Sequence, residues 1–295
     1  MNTATAPLVD NPFPLRPPDL GAHHDACEGP ENRDGYVAFA DRPGPPDAEG
    51  GGVVLIAGRP HLGKSVLAHR CLHRYEAAGH LVVDLADRPS GELAGPADLL
   101  ARMGGANPLP GELRSALREV RTGEPVEGHH DLGRALGGRR LAVRLPRPDP
   151  NLRPAAIVTQ VLAYARAAVA ANAGVYLFEY PYWVESDWTQ VREGIARSPD
   201  GGRVTAVGLD PFSDRDLLRF LRARMGGQEG VDALLDLDPE MLLRALARQR
   251  ASLSPNNLTW FNVLCHQAFA AAIEAGATRI AIHHYLAAAV RIGAP

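Results

Sequence analysis

Residues 53–65 read "VVLIAGRPHLGKS", an apolar run from Val53 to Ala57 that breaks into a glycine-bounded turn and ends on Lys64 and Ser65 side by side. Five consecutive apolar residues before a glycine predict a short strand buried on both faces. The turn "GRPHLGKS" satisfies G-x-x-x-x-G-K-S/T at every fixed position. Gly58 lets the chain leave the strand sharply. Gly63 removes a side chain where backbone must approach an anion. A helix that starts at about Gly63 aims its first amides at the turn, and its dipole favours negative charge there. The stretch therefore predicts a polyphosphate seat built from Gly58, Arg59, Pro60, His61, Leu62, Gly63, Lys64, Ser65 and Val66. In such a seat Lys64 bridges the β- and γ-phosphates of ATP, and the Ser65 hydroxyl ligates Mg²⁺.

Working outward, the helix runs to Ala78 and stops at Gly79, and "HLVVDLAD" follows as a second strand. Strand, helix and strand at this spacing form a βαβ unit, so the sheet is parallel. "GPADLLARMGG" and "PGELRSALREV" read as short helices, and "RTGEPVEGHHDLG" as a loop. "RRLAVRLP" is a further strand, followed by the stiff connection "PRPDPNLRP". Residues 155–172 form a long helix with Ile157, Val161, Leu162, Ala165 and Val169 on one stripe. "VYLFEYPYW" is a buried strand that ends in an acid, and "GRVTAVGLDP" is the last strand.

Beyond it the period is helical. Ser213 and Asp216 form a capping box ahead of Leu217, Phe220, Leu221 and Met225. Asp238 is an N-cap with Pro239 at the first helical position. Phe261, Leu264, Cys265, Ala268 and Ala272 stripe a third helix, and "IAIHHYLAAAVRI" makes a fourth. The expected fold is α/β: a P-loop parallel sheet with flanking helices, followed by a small all-helical lid. The expected division is an irregular N-terminal arm over 1–50, a core over 51–212 and the lid over 213–295.

The formal charge is −3, so no global attraction to nucleic acid or anionic lipid follows. Cys27, Cys71 and Cys265 are odd in number and far apart, which excludes a zinc spacing and a disulfide framework and fits a reducing cytoplasm. "HHDAC" at 23–27 has no second cluster to complete a metal site. The N-terminus lacks a basic segment followed by an apolar one, so no signal peptide is expected. The longest apolar-rich stretch is interrupted by Gln160, Arg166 and Asn172 and is too polar to span a bilayer.

An ATPase built on this loop needs a carboxylate at a neighbouring strand end to hold Mg²⁺, and a second acid to polarise water. Glu179, after "VYLF", is the candidate for the first role; an ordinary salt-bridged glutamate is the alternative. Tyr180 and Pro181 stand where the second acid is expected, and Glu185 and Asp187 are displaced substitutes. Lys64 and Glu179 are thus the candidate catalytic residues, and Ser65 and Glu179 the candidate metal ligands. ATP binding is supported more firmly than fast hydrolysis.

At this point the chain resembles the AAA+ and STAND superfamily of P-loop ATPases, closest to the branch of secretion-type and origin-recognition-type ATPases. "NPF" at 11–13 is similar to a motif that precedes the core in the secretion type, and "GRPHLGKS" is the Walker A. "GVYLFEY" resembles a Walker B with glutamate for aspartate. "LDPFSDRDLLRFLRARM" resembles the junction into the lid, and "NVLCHQAFAAAIEAGATRIAIHHYLAAAV" the last two lid helices. Together these touch most of residues 53–292, and only the Walker A is specific on its own. The resemblance implies an ATP-binding switch acting on a protein partner, with slow or conditional hydrolysis and a homo-oligomer as one assembly. Two features depart from it. No arginine occurs between Arg250 and Arg279, where the lid places a γ-phosphate sensor, and Thr205 is the nearest polar residue to a sensor on the last strand. Arg222 and Arg224 read as a solvated helix face or as fingers toward a neighbouring subunit. Two other readings stay open. One is a small-molecule kinase, with Asp84 and Asp87 holding an acceptor and Arg144, Arg147 and Arg153 forming a lid. The other is a scaffold that binds nucleotide without hydrolysing it.

Overall fold

The computed structural model describes residues 8, 11–13, 51–60, 62–88, 95–106, 115–116, 118–120, 125–171, 174–210, 213–252 and 258–293. The chain divides into two compact units. One holds residues 64–209 with 51–60 ahead of them. The other holds 210–293 with residues 8, 11–13 and 62–63.

The α/β unit carries five parallel strands: β1 (Gly52–Gly58), β2 (Leu81–Asp84), β3 (Leu141–Arg144), β4 (Val175–Pro181) and β5 (Val204–Leu209). Their order across the sheet is β2-β3-β4-β1-β5, so the strand that feeds the phosphate loop lies between β4 and β5. All seven residues of β1 are buried, which is why it reads as an unbroken apolar run.

Helices α1 (Lys64–Ala77), α2 (Pro96–Ala106), α3 (Pro125–Ala135), α4 (Pro154–Ala170) and α5 (Glu185–Ala196) connect the strands. The step from β1 to β2 crosses the sheet one way, and every later step returns. Right-handed crossovers therefore put α1 on one face and the later helices on the other. Packing agrees: α1 lies against β1 to β4, whereas α4 lies on β1, β4 and β5 between α3 and α5. Val53, Leu55, Ala57, Tyr176, Phe178 and Tyr180 share the core on the α4 side with Ile157, Val161, Ala165 and Ala168. The intervening Val54, Ile56, Leu177 and Glu179 turn toward α1, because side chains alternate along a strand. Gly51, with φ of 91°, closes the start of β1 against α4, and a Cβ there would stand 2.5 Å from the Ala168 carbonyl oxygen.

One segment differs from expectation. "RTGEPVEGHHDLG", expected as a loop, contains α3. Pro125 opens that helix, and buried His129, Leu132 and Leu136 recur at helical spacing among glycines that dilute the pattern. The stretch after β4 forms α5, anchored by buried Trp188, Val191 and Ile195. Of "PGELRSALREV", residues 115, 116 and 118 are helical and 110–114 and 117 lie outside the described residues. Most of the arm expected over 1–50, with "HHDAC", also lies outside them.

The helical unit comprises α6 (Asp214–Arg224), α7 (Gly227–Leu234), α8 (Pro239–Ser252), α9 (Leu258–Glu274) and α10 (Ile282–Gly293). Its capping box forms: the Ser213 N–H donates to Asp216 Oδ2 at 2.8 Å, and the Asp216 N–H donates to Ser213 Oγ at 3.2 Å. Asp238 Oδ1 caps α8 through the Glu240 N–H at 3.0 Å. The expected stripe of α9 is buried. The "NPF" segment is part of this unit. The Phe13 ring is buried 5.2 Å from Phe269 and 5.9 Å from Phe220, and Asn11 Nδ2 donates to the His266 carbonyl at 3.0 Å. Among the described residues, no helix is long and apolar enough to cross a membrane.

Candidate functional site

The phosphate loop has the expected strand–turn–helix geometry. β1 ends at Gly58, whose carbonyl accepts from the Tyr182 N–H at 3.3 Å, and α1 begins at Lys64. Gly63 has φ of 84°, a conformation that favours glycine at the entry to the helix. Ser65 and Val66 lie in the first turn of α1, where backbone N–H groups have no partner inside the helix. His61 lies outside the described residues.

Lys64 is 8% exposed, and its Nζ donates to the Gly58 carbonyl at 2.9 Å and the Arg59 carbonyl at 2.8 Å. Burial pulls its pKa down to about 8; the Glu179 carboxylate pulls it up, and the Arg147 guanidinium pushes it further down. The ammonium is thus held at the loop by neutral acceptors, which a polyphosphate oxygen exceeds as a partner because it carries charge.

Strand register builds a polar row on the α1 face. Asp84 of β2 pairs with Arg144 of β3, Arg144 pairs with Leu177 of β4, and Glu179 of β4 pairs with Ile56 of β1. Asp84, Arg144 and Glu179 therefore project on one side, toward α1. Ser65 Oγ donates to Glu179 Oε2 at 2.7 Å. Arg144 donates to Glu179 Oε1 from Nε at 2.7 Å and from Nη2 at 2.6 Å. Its Nη1 reaches Asp84 Oδ2 at 3.2 Å and contacts His69 Nε2, one turn along α1 from Ser65. Arg147 Nη2 donates to Ser65 Oγ at 3.1 Å. Arg144 and Glu179 are 4% and 2% exposed, so their charges meet in a water-poor pocket.

The structure thus brings together Lys64, Ser65 and Glu179, the three residues singled out in the sequence. Glu185 and Asp187 instead open the first turn of α5. Thr205 is half-buried within β5. Of the groups read as a kinase acceptor and lid, Asp87 pairs with Arg102 at 3.1 Å, Asp84 belongs to the polar row, and Arg144 is buried at its centre. Arg224 stacks over Phe220 at 5.5 Å. The partnership of Arg144 with Glu179 was not anticipated. The available signal was a basic residue closing the otherwise apolar strand "LAVR".

The residues fit a polyphosphate: a glycine-opened turn, a helix N-terminus, a buried ammonium and an exposed guanidinium at one place. They do not fit a resident divalent ion. Mg²⁺ demands near-octahedral oxygen ligands at about 2.0–2.1 Å. Each candidate ligand instead accepts from a guanidinium, Glu179 from Arg144 and Ser65 from Arg147. Among the described residues, no group of three or more His, Cys, Asp or Glu side chains is placed to hold a metal.

No family model matches the sequence, and no curated protein matches it. Solved structures do. The Drosophila ORC bound to DNA is similar at a TM-score of 0.54 with 15% identity, over 98% of this chain and 71% of that one. The Aeropyrum pernix ORC1 protein in complex with DNA gives 0.49 and 17%, over 95% and 67% of the two chains. The Aeropyrum pernix ORC2 protein in its ADP form gives 0.48 and 14%, over 81% of this chain and 62% of its own length. The chain thus spans less than two thirds of the last. The likeness to the Drosophila structure bears on the fold alone: a parallel sheet with flanking helices and a C-terminal helical region.

Proposed function

We propose that this AAA+ fold binds ATP or ADP at the phosphate loop and serves as a nucleotide-dependent switch on a protein partner, with slow or conditional hydrolysis. The observation that carries the reading is Lys64. Its buried amine sits on the Gly58 and Arg59 carbonyls where β1 turns into α1, with Ser65 and Arg147 beside it. Gly58 to Val66 are assigned to the nucleotide, Lys64 and Glu179 to the reacting end. The expected division stands as part of the proposal: arm 1–50, core 51–212, lid 213–295. Mg²⁺, expected from the loop motif with Ser65 and Glu179 as its ligands, is not assigned to the site. Both are engaged by arginines.

The DNA in two of the similar structures belongs to those proteins. This chain carries −3 overall, and its assigned partner is a protein, with a second copy of the chain as one form of it. Equilibrium titration with ATP and ADP tests the reading. Lys64→Ala should remove a charge-assisted contact of about 1.5–3 kcal/mol, a loss of roughly tenfold to hundredfold in affinity. Unchanged binding by Lys64→Ala would refute the site.

One observation favours a second reading, a nucleotide-binding scaffold without turnover. Tyr180 and Pro181 follow Glu179 where a second acid would polarise the attacking water. Phosphate release measured with and without a captured partner separates the two. The switch reading expects release below about one per second alone and acceleration by the partner.

A further inference from the structure

We propose that the phosphate loop takes a nucleoside di- or triphosphate without a divalent cation, because Arg144 already holds the carboxylate a metal would face and Arg147 brings fixed positive charge to the loop. This rests on the nucleotide-binding reading and deepens it. Arg144 is the positioning residue. It is buried, it cannot lose its proton, and it forks onto one oxygen of Glu179. Glu179 is thereby paired with a cation before any ligand arrives, and its second oxygen accepts from Ser65. A dication seated between Ser65 and Glu179 would lie beside the Arg144 guanidinium in a water-poor pocket and against Arg147 at Ser65, two like-charge contacts.

Arg147 is the phosphate-contacting residue. It is exposed, its Nη2 lies 3.1 Å from Ser65 Oγ, and its charge acts on Lys64 at the loop. Asp84 and His69 hold the far side of Arg144. Lys64 and Arg147 therefore face the loop as cations while the local carboxylates are already matched. The planar fork of an arginine suits two phosphate oxygens at once.

The test is titration of the full chain with ATP, in excess EDTA and again in excess MgCl₂. The expected result is affinity equal within about threefold in the two buffers, a difference of under ~1 kcal/mol. Binding more than about tenfold tighter with MgCl₂ would overturn the inference and leave the nucleotide reading standing. Failure to bind in either buffer would remove both. Arg147→Ala should weaken binding in EDTA about tenfold; an unchanged affinity would overturn its phosphate role. Arg144→Gln should release Glu179 and make ATP binding respond to MgCl₂, which loss of packing alone would not do. A folded Arg144→Gln variant that stays indifferent to MgCl₂ would overturn the positioning role. If that variant does not fold, the comparison of the two buffers on the parent chain still decides the proposal.

Discussion

Glu179 Oε1 accepts two bonds from Arg144, from Nε at 2.7 Å and Nη2 at 2.6 Å, and Glu179 Oε2 accepts from Ser65 Oγ at 2.7 Å. One carboxylate thus ties the C-terminal ends of β3 and β4 to the first turn of α1. It holds the loop's acid and hydroxyl and the Arg144 guanidinium in one hydrogen-bonded set.

The first prediction concerns the pair. Arg144→Ala should destabilise the α/β unit by about 3–5 kcal/mol, since it strands a buried carboxylate. Arg144→Met combined with Glu179→Leu should recover much of that loss, because apolar replacements need no partner. Urea unfolding followed by circular dichroism reads both. A double variant no more stable than Arg144→Ala would show that the pair itself is not what matters.

The second concerns pH. The folded Lys64 pKa is about 8, against an ordinary value of 10.5. The unfolded chain therefore binds more protons between those values, and Lys64 makes folding stability rise with pH across that window. Polyphosphate binding has the opposite slope. A phosphate favours the charged amine, so ATP affinity should be level just below pH 8 and fall as pH rises above it. Phosphate ionises near about 6, and so does not contribute there. Titrations from pH 7.5 to 9.5 on the parent should show the fall, and on Lys64→Arg should not.

Gly51 supplies a third. Its φ of 91° and the 2.5 Å approach a Cβ would make to the Ala168 oxygen both resist a side chain. Gly51→Ala should cost about 1–3 kcal/mol in stability. A change below about 0.5 kcal/mol, the range of an ordinary surface substitution, would contradict it.

The fourth concerns the N-terminal segment. Phe13 fills a site between Phe220 and Phe269 in the helical unit. Phe13→Ala should destabilise that unit by about 3–5 kcal/mol. Tryptic cleavage within residues 213–293 should accelerate accordingly. Cleavage at the parent rate would mean that Phe13 does not brace the unit.

The P-loop was legible because its information is local. Gly58, Gly63, Lys64 and Ser65 each have a task set by the backbone of their own turn, and the short apolar run before them, bounded by glycine, reads as a strand buried on both faces. The Ser213–Asp216 box and the stripe Phe261, Leu264, Cys265, Ala268 and Ala272 were legible for the same reason: partners three or four residues apart meet on any helix. Helix α3 was hidden because glycines thin its apolar period, and only burial of Leu132 and Leu136 in the core reveals it.

The sequence by itself determined the loop, the parallel α/β class and the helical module that follows. It also placed Glu179 at the end of a buried strand. What Glu179 does there was decided by tertiary structure. Arg144 lies 35 residues earlier on another strand. It meets the glutamate only because the crossovers set β3 beside β4 in a register that turns both side chains toward α1. The strength of a charge's interaction depends on distance and burial, and neither exists until the strands are ordered in the sheet.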